Sequence, residues 1–170
     1  MSAPVLRDAR PSDLAAIRAI FNHWIEHSTA SFRVVPDSEE QTRAWFEGRS
    51  PAHPALVAEE NGEIVGWASL SPHKPTGGYR HTVELSVYLH PDALGRGLGR
   101  VLVGELLERA REAGHHAVLG GVCTEQAASM RLHEALGFTQ VAHFREVGFK
   151  FGRWLDVAYF EKVLGSPAGA

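Results

Sequence analysis

The sequence predicts a single α/β domain (mixed α+β), in which helices flank one central β-sheet with both parallel and antiparallel strands. Three observations support this prediction. The 170 residues match the length of one domain. The hydrophobic fraction of 44% and the charged fraction of 22% are those of a folded globular protein. Strand and helix periodicities follow one another in the order β-α-α-β-β-β-α-β-α-β-β. The domain is expected over residues 1–165, followed by a frayed tail at 166–170.

The N-terminal half contains two predicted helices and three predicted strands. Apolar residues recur at helical spacing after an expected N-cap at Ser12. Asp37 and Glu40 have the spacing of a capping box for the second helix. Asn61-Gly62 lies between two apolar runs, which is a strong signal for a β-hairpin. The expected strands are 5–9, 55–60 and 63–70, and the expected helices are 12–27 and 37–49.

The C-terminal half begins with a strand of regular alternation over residues 81–90. Val83 and Leu85 point to one side of this strand, and Glu84 and Ser86 point to the other. An amphipathic helix follows a glycine-rich segment and ends at Gly114. The remaining predicted elements are a strand at 117–123, a helix at 125–136 and closing strands at 138–145 and 154–163.

The segment GRGLGR at residues 95–100 predicts an anion site at the start of a helix. Glycine lets the backbone approach a ligand closely, and the free N–H groups of a helix N-terminus attract phosphate. The spacing does not match the dinucleotide fingerprint G-x-G-x-x-G, and the chain has no G-K-[ST] triplet. Coenzyme A is the common pyrophosphate ligand that remains.

Four segments resemble one enzyme superfamily. The segment TVELSVYLHP at 82–91, followed by GRGLG at 95–99, resembles the acetyl-CoA core of the GNAT acetyltransferases. Three further segments are similar to the phosphinothricin and methionine sulfoximine N-acetyltransferases: NHWIEHSTASFR at 22–33, SMRLHEALGF at 129–138 and VGFKFGRWLD at 147–156. The resemblance implies the GNAT fold and acetyl-CoA as co-substrate. It also implies acetyl transfer to the α-amino group of a small amino acid or analogue, such as phosphinothricin, methionine sulfoximine or methionine sulfone.

The resemblance also implies roles for individual residues. Glu84 and His133 match the family's catalytic carboxylate and motif histidine, and we expect this pair to take the proton from the acceptor amine. Backbone N–H groups near Val87–Leu89 are expected to stabilise the developing oxyanion. The implied acetyl-CoA contacts are Val87, Tyr88, Leu89, Gly95, Arg96, Gly97, Leu98, Gly99, Arg100, Gln126 and Ser129. The implied acceptor contacts are Phe32, Lys74, Pro75, Thr76, Tyr79, Glu84, Leu85 and Ser86.

Three residues depart from the family pattern. Leu94 stands where an Arg or Gln usually opens the pyrophosphate loop, and Gln126 replaces an Asn that contacts coenzyme A. Both changes bear on affinity for the co-substrate. Leu85 is larger than the usual neighbour of the catalytic Glu, which bears on the identity of the acceptor.

Two other functions remain open at this point. One is acetylation of the N-terminus of a protein or peptide, and the other is a regulatory module that binds coenzyme A without turnover. The presence of Glu84 and His133 argues against the second. The resemblance also implies a homodimer, with its contact in the C-terminal signature region.

Charge and composition exclude several other classes of function. The net charge is −3, from 17 basic and 20 acidic residues, so no nucleic-acid partner is expected. No apolar run approaches the roughly 18 residues of a membrane helix and no secretory signal is present, so we expect no membrane partner and a cytoplasmic location. The single cysteine, Cys123, rules out an internal disulfide and a multi-cysteine metal site, and no metal is expected.

Overall fold

The computed structural model describes residues 3–165, so the predicted tail at 166–170 lies outside the described residues. Within this range seven strands form one mixed sheet in the order β1-β2-β3-β4-β5-β7-β6. The strands are β1 Val5–Asp8, β2 Ala55–Glu60, β3 Glu63–Pro72, β4 Thr82–Leu89, β5 Ala117–Cys123, β6 Thr139–Lys150 and β7 Arg153–Val163. The helices are α1 Leu14–His27, α2 Glu39–Glu47, α3 Leu98–Glu112 and α4 Ala127–Ala135. The predicted element order and fold class are confirmed.

The helices cover the two faces of the sheet in separate layers. The alternation of β3 and β4 divides their side chains between these layers. Leu70 and Leu85 belong to the larger apolar core beneath α3. Trp67 and Tyr88 belong to a second apolar cluster beneath α1. Glu84, which lies between Val83 and Leu85, therefore points to the face of the sheet that carries α1.

The sheet opens between β4 and β5, which pair in parallel. Their ladder contains the pairs Thr82↔Ala117, Val83↔Val118 and Glu84↔Leu119, and it ends there. The C-terminal halves of both strands continue without pairing to each other. This separation leaves a wedge in the middle of the sheet, directly beyond Glu84.

Both predicted helix caps are wrong by one residue. A 3₁₀ turn over Pro11–Asp13 precedes α1, so Ser12 does not cap the helix. The cap of α2 is Ser38, whose hydroxyl accepts the backbone N–H of Gln41 at 3.2 Å, while the Ser38 N–H donates to Gln41 Oε1 at 2.8 Å. Asp37 and Ser38 are both good capping residues, but the Asp37 carboxylate is occupied by an ion pair with Arg33.

One predicted hairpin turn is confirmed, and one predicted strand end is wrong. Asn61 and Gly62 have φ values of 52° and 83°, as a two-residue hairpin turn requires, and this turn was predicted. β6 extends to Lys150, beyond its predicted end at residue 145. Its pairing with β7 shifts register between Phe144 and Gly148, and this bulge interrupts the alternation that would have revealed the rest of the strand.

Candidate active site

A cavity of about 480 Å³ lies in the wedge between β4 and β5. Its walls come from the separated halves of these strands, from the glycine-rich segment before α3, and from α4. The lining residues are Trp24, Ala30, Leu85, Ser86, Val87, Tyr88, Leu89, Leu94, Gly95, Gly97, Leu98, Gly99, Arg100, Gly121, Val122, Cys123, Gln126, Ala128, Ser129, Arg131, Leu132 and His133. Most of the predicted acetyl-CoA contacts therefore surround one cavity.

The backbone of β4 directs hydrogen-bonding groups into this wedge. The His90 N–H donates to Val65 O at 2.8 Å, and Thr82 O accepts the His73 N–H at 3.3 Å. The backbone N–H and C=O groups of the even-numbered residues of β4 therefore point towards β3. The backbone groups of the odd-numbered Leu85 and Val87 then point towards β5, where the ladder has ended. An extended ligand in the wedge can bind to these groups as a neighbouring strand would.

The glycine-rich segment forms an open cradle at the N-terminus of α3. Gly95 and Gly97 have φ values of 73° and 78°, a region that favours glycine, and Gly97 is the residue that precedes the helix. A Cβ added at either position would meet nothing within 4 Å. Backbone N–H groups at a helix N-terminus bind phosphate, and Arg100 lines the same cavity. The cradle therefore fits a pyrophosphate.

The side chain of Arg96, a predicted acetyl-CoA contact, is engaged away from the cavity. Its guanidinium forms an ion pair with the buried carboxylate of Glu60, and this hydrogen bond holds the pKa of Glu60 below its usual range. Arg96 is absent from the lining of the cavity, whereas Arg131 of α4 lies in it. The second arginine of the cavity lining thus comes from α4.

The loop after α1 is fixed against the cavity by residues distant in sequence. The buried Lys150 ammonium donates to Ser28 O at 2.7 Å and to Ser31 O at 2.6 Å. The Gln126 amide, predicted to contact coenzyme A, donates to Thr29 Oγ1 at 2.9 Å. Gln126 also lines the cavity, so it joins this loop to the ligand site.

Tyr88 joins the same loop to β4. Its hydroxyl donates to Ala30 O at 3.3 Å, and burial raises the pKa of Tyr88 to about 12. The phenol therefore stays protonated at neutral pH and acts as a hydrogen-bond donor. Its ring packs beside Trp67 and Phe21, so Tyr88 contributes to the second core as well as to the cavity wall.

His133 is buried on the α3 side of the sheet. Its Nδ1 lies 2.8 Å from Ser129 O, and because a carbonyl only accepts, Nδ1 carries the proton. Burial lowers the pKa of His133, so the ring is neutral and Nε2 is an acceptor without a partner among residues 3–165. The ring packs between Phe138 and Phe160 and lies where a Cβ of Gly120 would be. This ring has no proton on Nε2 to donate.

Glu84 and His133 lie on opposite faces of the sheet and do not contact each other. The Glu84 carboxylate binds His73 instead, with 2.6 Å between Oε1 and Nδ1. Burial and the negative charge of Glu84 together raise the pKa of Tyr159, which lies on the same face. A histidine that the sequence analysis did not single out is thus the direct partner of the candidate carboxylate.

Some of the predicted acceptor residues lie around Glu84. The Lys74 Nζ lies 5.1 Å from the centre of the Tyr79 ring, and this ring meets the His73 ring edge-on at 5.4 Å. Leu85 and Ser86 line the cavity. Pro75 and Thr76 are exposed and absent from the lining of the cavity. Phe32 packs against the backbone of Gly148 in β6.

The profile of the Acetyltransferase (GNAT) family matches residues 17–138. The chain belongs to this family. It is therefore an acetyltransferase, which confirms the enzyme class that the sequence predicts. The matched segment contains both separated strands, the glycine cradle and α4, which are the elements that enclose the cavity.

Several proteins resemble this GNAT acetyltransferase over nearly the whole chain. The L-amino acid N-acyltransferase MnaT of Escherichia coli is 43% identical over 160 residues, covering 94% of this chain and 93% of the relative. The L-methionine sulfoximine/L-methionine sulfone acetyltransferase of Salmonella typhimurium is 42% identical and covers 96% of both chains. The crystal structure of a phosphinothricin acetyltransferase from Sinorhizobium meliloti, in complex with acetyl-CoA, has a TM-score of 0.94 at 33% identity and covers 99% of this chain and 92% of that one.

Residues 3–165 of this GNAT enzyme contain neither a membrane-spanning helix nor a metal-binding group of side chains. Among residues 3–165, no helix is both long and apolar enough to cross a membrane. The same residues contain no group of three or more His, Cys, Asp or Glu side chains arranged to hold a metal ion.

Proposed function

We propose that this enzyme transfers the acetyl group of acetyl-CoA to the α-amino group of a small amino acid or analogue. The observation that carries the proposal is the position of the cavity. It begins at the glycine cradle and passes between β4 and β5 to Ser86, two residues from Glu84 on the same face of β4. The names of the relatives support an amino-acid type of acceptor.

The residues of the cavity fit acetyl-CoA as co-substrate. The cradle at Gly95 and Gly97 and the Arg100 side chain would hold the pyrophosphate. The backbone groups of Leu85 and Val87 would pair with the extended, amide-containing arm. Acetyl-CoA supplies the acetyl group as an activated thioester. Because acetyl-CoA is a cytoplasmic metabolite, the proposal implies a cytoplasmic location.

Glu84 is the proposed general base. An α-amino group has a pKa of about 8 and is mostly protonated at pH 7, so it must lose a proton before its nitrogen can attack a carbonyl carbon. The side chain of Glu84 is 38% exposed, so an acceptor can reach its carboxylate. We assign His133 to packing beneath Gly120, because its ring is buried between Phe138 and Phe160 on the face of the sheet opposite Glu84.

The surroundings of Glu84 fit an acceptor that carries a negative charge next to its amine. Lys74 and Arg80 lie in the exposed loop that precedes β4, and Lys74 lies over the Tyr79 ring. A charge-assisted contact to a carboxylate would fix the amine near Glu84. The proposed acceptors are methionine sulfone, methionine sulfoximine and phosphinothricin.

A panel of acceptors tests this proposal. We expect thiol release from acetyl-CoA with the three anionic analogues, and little with aminoglycosides or polyamines, because a polycation would face Lys74 and Arg80. Steady-state kcat/KM should be measured for each compound, together with the mass of the product. An N-terminal alanyl peptide is included as a further acceptor. Higher activity with a polycation or with the peptide than with every analogue would refute the proposal.

We also propose that two copies of the chain associate through the β6–β7 hairpin. This hairpin lies at one edge of the sheet and carries several large apolar side chains that are about half exposed, which is typical of an interaction surface. They are Val141, Phe144, Val147, Phe149, Phe151 and Trp154. A second copy offers a matching surface.

Light scattering tests this association. The Trp154→Glu substitution should convert a dimer of 18.6 kDa chains into a monomer, because it places a charge in the apolar surface. Val5→Glu is the matched control, since Val5 is also an exposed apolar residue but lies in β1 at the opposite edge of the sheet. A monomeric wild-type chain would contradict the proposal.

A further inference from the structure

His73 lies immediately beyond β3 and is joined to β4 by two contacts. Its backbone N–H donates to Thr82 O at 3.3 Å. Its imidazole Nδ1 lies 2.6 Å from Glu84 Oε1. An ionised carboxylate can only accept, so Nδ1–H is the donor and Nε2 is left as the free ring nitrogen. The His73 side chain is 19% exposed, half the value of Glu84, so the contact is partly shielded from water.

The neighbours of His73 hold its ring in one orientation. The Tyr79 ring meets it edge-on, with 5.4 Å between centres and 75° between planes. Tyr79 in turn carries the Lys74 ammonium over its face. The Lys74 ammonium is therefore engaged with an aromatic ring, and His73 is the side chain that contacts the carboxylate.

We propose that His73 is a positioning residue for Glu84, an inference that rests on the proposed role of Glu84 as the base. A glutamate side chain has several rotatable bonds, and on a partly exposed strand it adopts many conformations. The charge-assisted hydrogen bond to Oε1 restricts it to one of these. Oε2 then remains available to receive the proton of the acceptor amine. Removing the bond should lower the rate of proton transfer and leave the binding of acetyl-CoA unchanged.

The test compares two substitutions of the same residue. His73→Asn keeps an N–H donor at about the distance of Nδ1 from the main chain, whereas His73→Leu keeps the size of the side chain without a donor. We expect the Leu variant to lose kcat by about tenfold, the scale of one hydrogen bond to a charged group. The acetyl-CoA KM should not change, and the Asn variant should recover most of the loss. His81→Leu, at an exposed histidine beyond the same loop, should retain wild-type kcat.

A double-mutant cycle shows whether His73 acts through Glu84. If it does, His73→Leu should cause no further loss of kcat when Glu84 is already replaced by Gln. Wild-type kcat in His73→Leu would overturn the inference, as would an Asn variant no better than Leu, or a full additional loss in the double variant. A Glu84→Gln variant with normal kcat would instead refute the proposed base, so the two failures are distinguishable.

Discussion

The Glu84→Gln substitution should lower kcat by about 10²–10⁴-fold, which corresponds to about 3–5.5 kcal/mol of activation free energy. Glutamine has nearly the same shape and can still accept a hydrogen bond from His73, but it cannot take up a proton at neutral pH. Binding of acetyl-CoA should persist, because Glu84 is absent from the lining of the cavity. Steady-state kinetics and calorimetric titration with acetyl-CoA measure the two effects separately.

Glu63→Gln is the matched control for this substitution. Glu63 is an exposed glutamate at the start of β3, away from the wedge, so its replacement removes the same charge without touching the site. We expect it to retain wild-type kcat. A loss of less than about threefold in Glu84→Gln would show that Glu84 is not the base, since positioned bases contribute far more than this.

The Gly97→Asp substitution should raise the acetyl-CoA KM by at least about tenfold, or about 1.4 kcal/mol of binding free energy. The new carboxylate would lie at the N-terminus of α3, where the pyrophosphate is expected, and two anions would compete for the same N–H groups. A Cβ at Gly97 meets no other atom within 4 Å, so the change does not disrupt the packing of the protein. Steady-state kinetics at saturating acceptor measures this effect.

Gly62→Asp separates the effect on binding from backbone strain. Gly62 has a φ value of 83°, close to the 78° of Gly97, and it is also open within 4 Å. Both variants should therefore lose a similar amount of stability in thermal unfolding, whereas only Gly97→Asp should change the KM. An unchanged KM in a folded Gly97→Asp enzyme would contradict the location of the co-substrate.

The elements of the fold were predictable because local patterns determine them. The Asn61-Gly62 turn, the alternation over β4 and the amphipathic α3 each depend on residues close together in sequence. The cap of α2 was wrong because Asp37 and Ser38 are adjacent capping residues, and an ion pair to Arg33 occupies Asp37. The cap of α1 was wrong because a 3₁₀ turn over Pro11–Asp13 precedes the helix. The end of β6 was missed because a bulge breaks the alternation on which the prediction relied.

The glycine cradle was also predictable, but the partners of individual side chains were not. Arg96 lies between the two cradle glycines in sequence, yet its side chain binds Glu60, which is 36 residues away. Lys150 reaches the loop after α1 across more than a hundred residues, and its sequence context gives no sign of burial. The contact of His73 with Glu84 depends on the register in which β3 and β4 pair. Glu84 and His133 lie on opposite faces of the sheet because α4 packs on the α3 side.

We propose that the enzyme recognises an amine with a neighbouring carboxylate. The most direct test compares methionine sulfone with the amine that remains when its carboxyl group is removed. The two kcat/KM values should be compared at equal concentrations of the neutral amine, because decarboxylation changes the basicity. We expect methionine sulfone to be favoured by at least about tenfold, the scale of one charge-assisted contact. Equal values for the two compounds would contradict the claim.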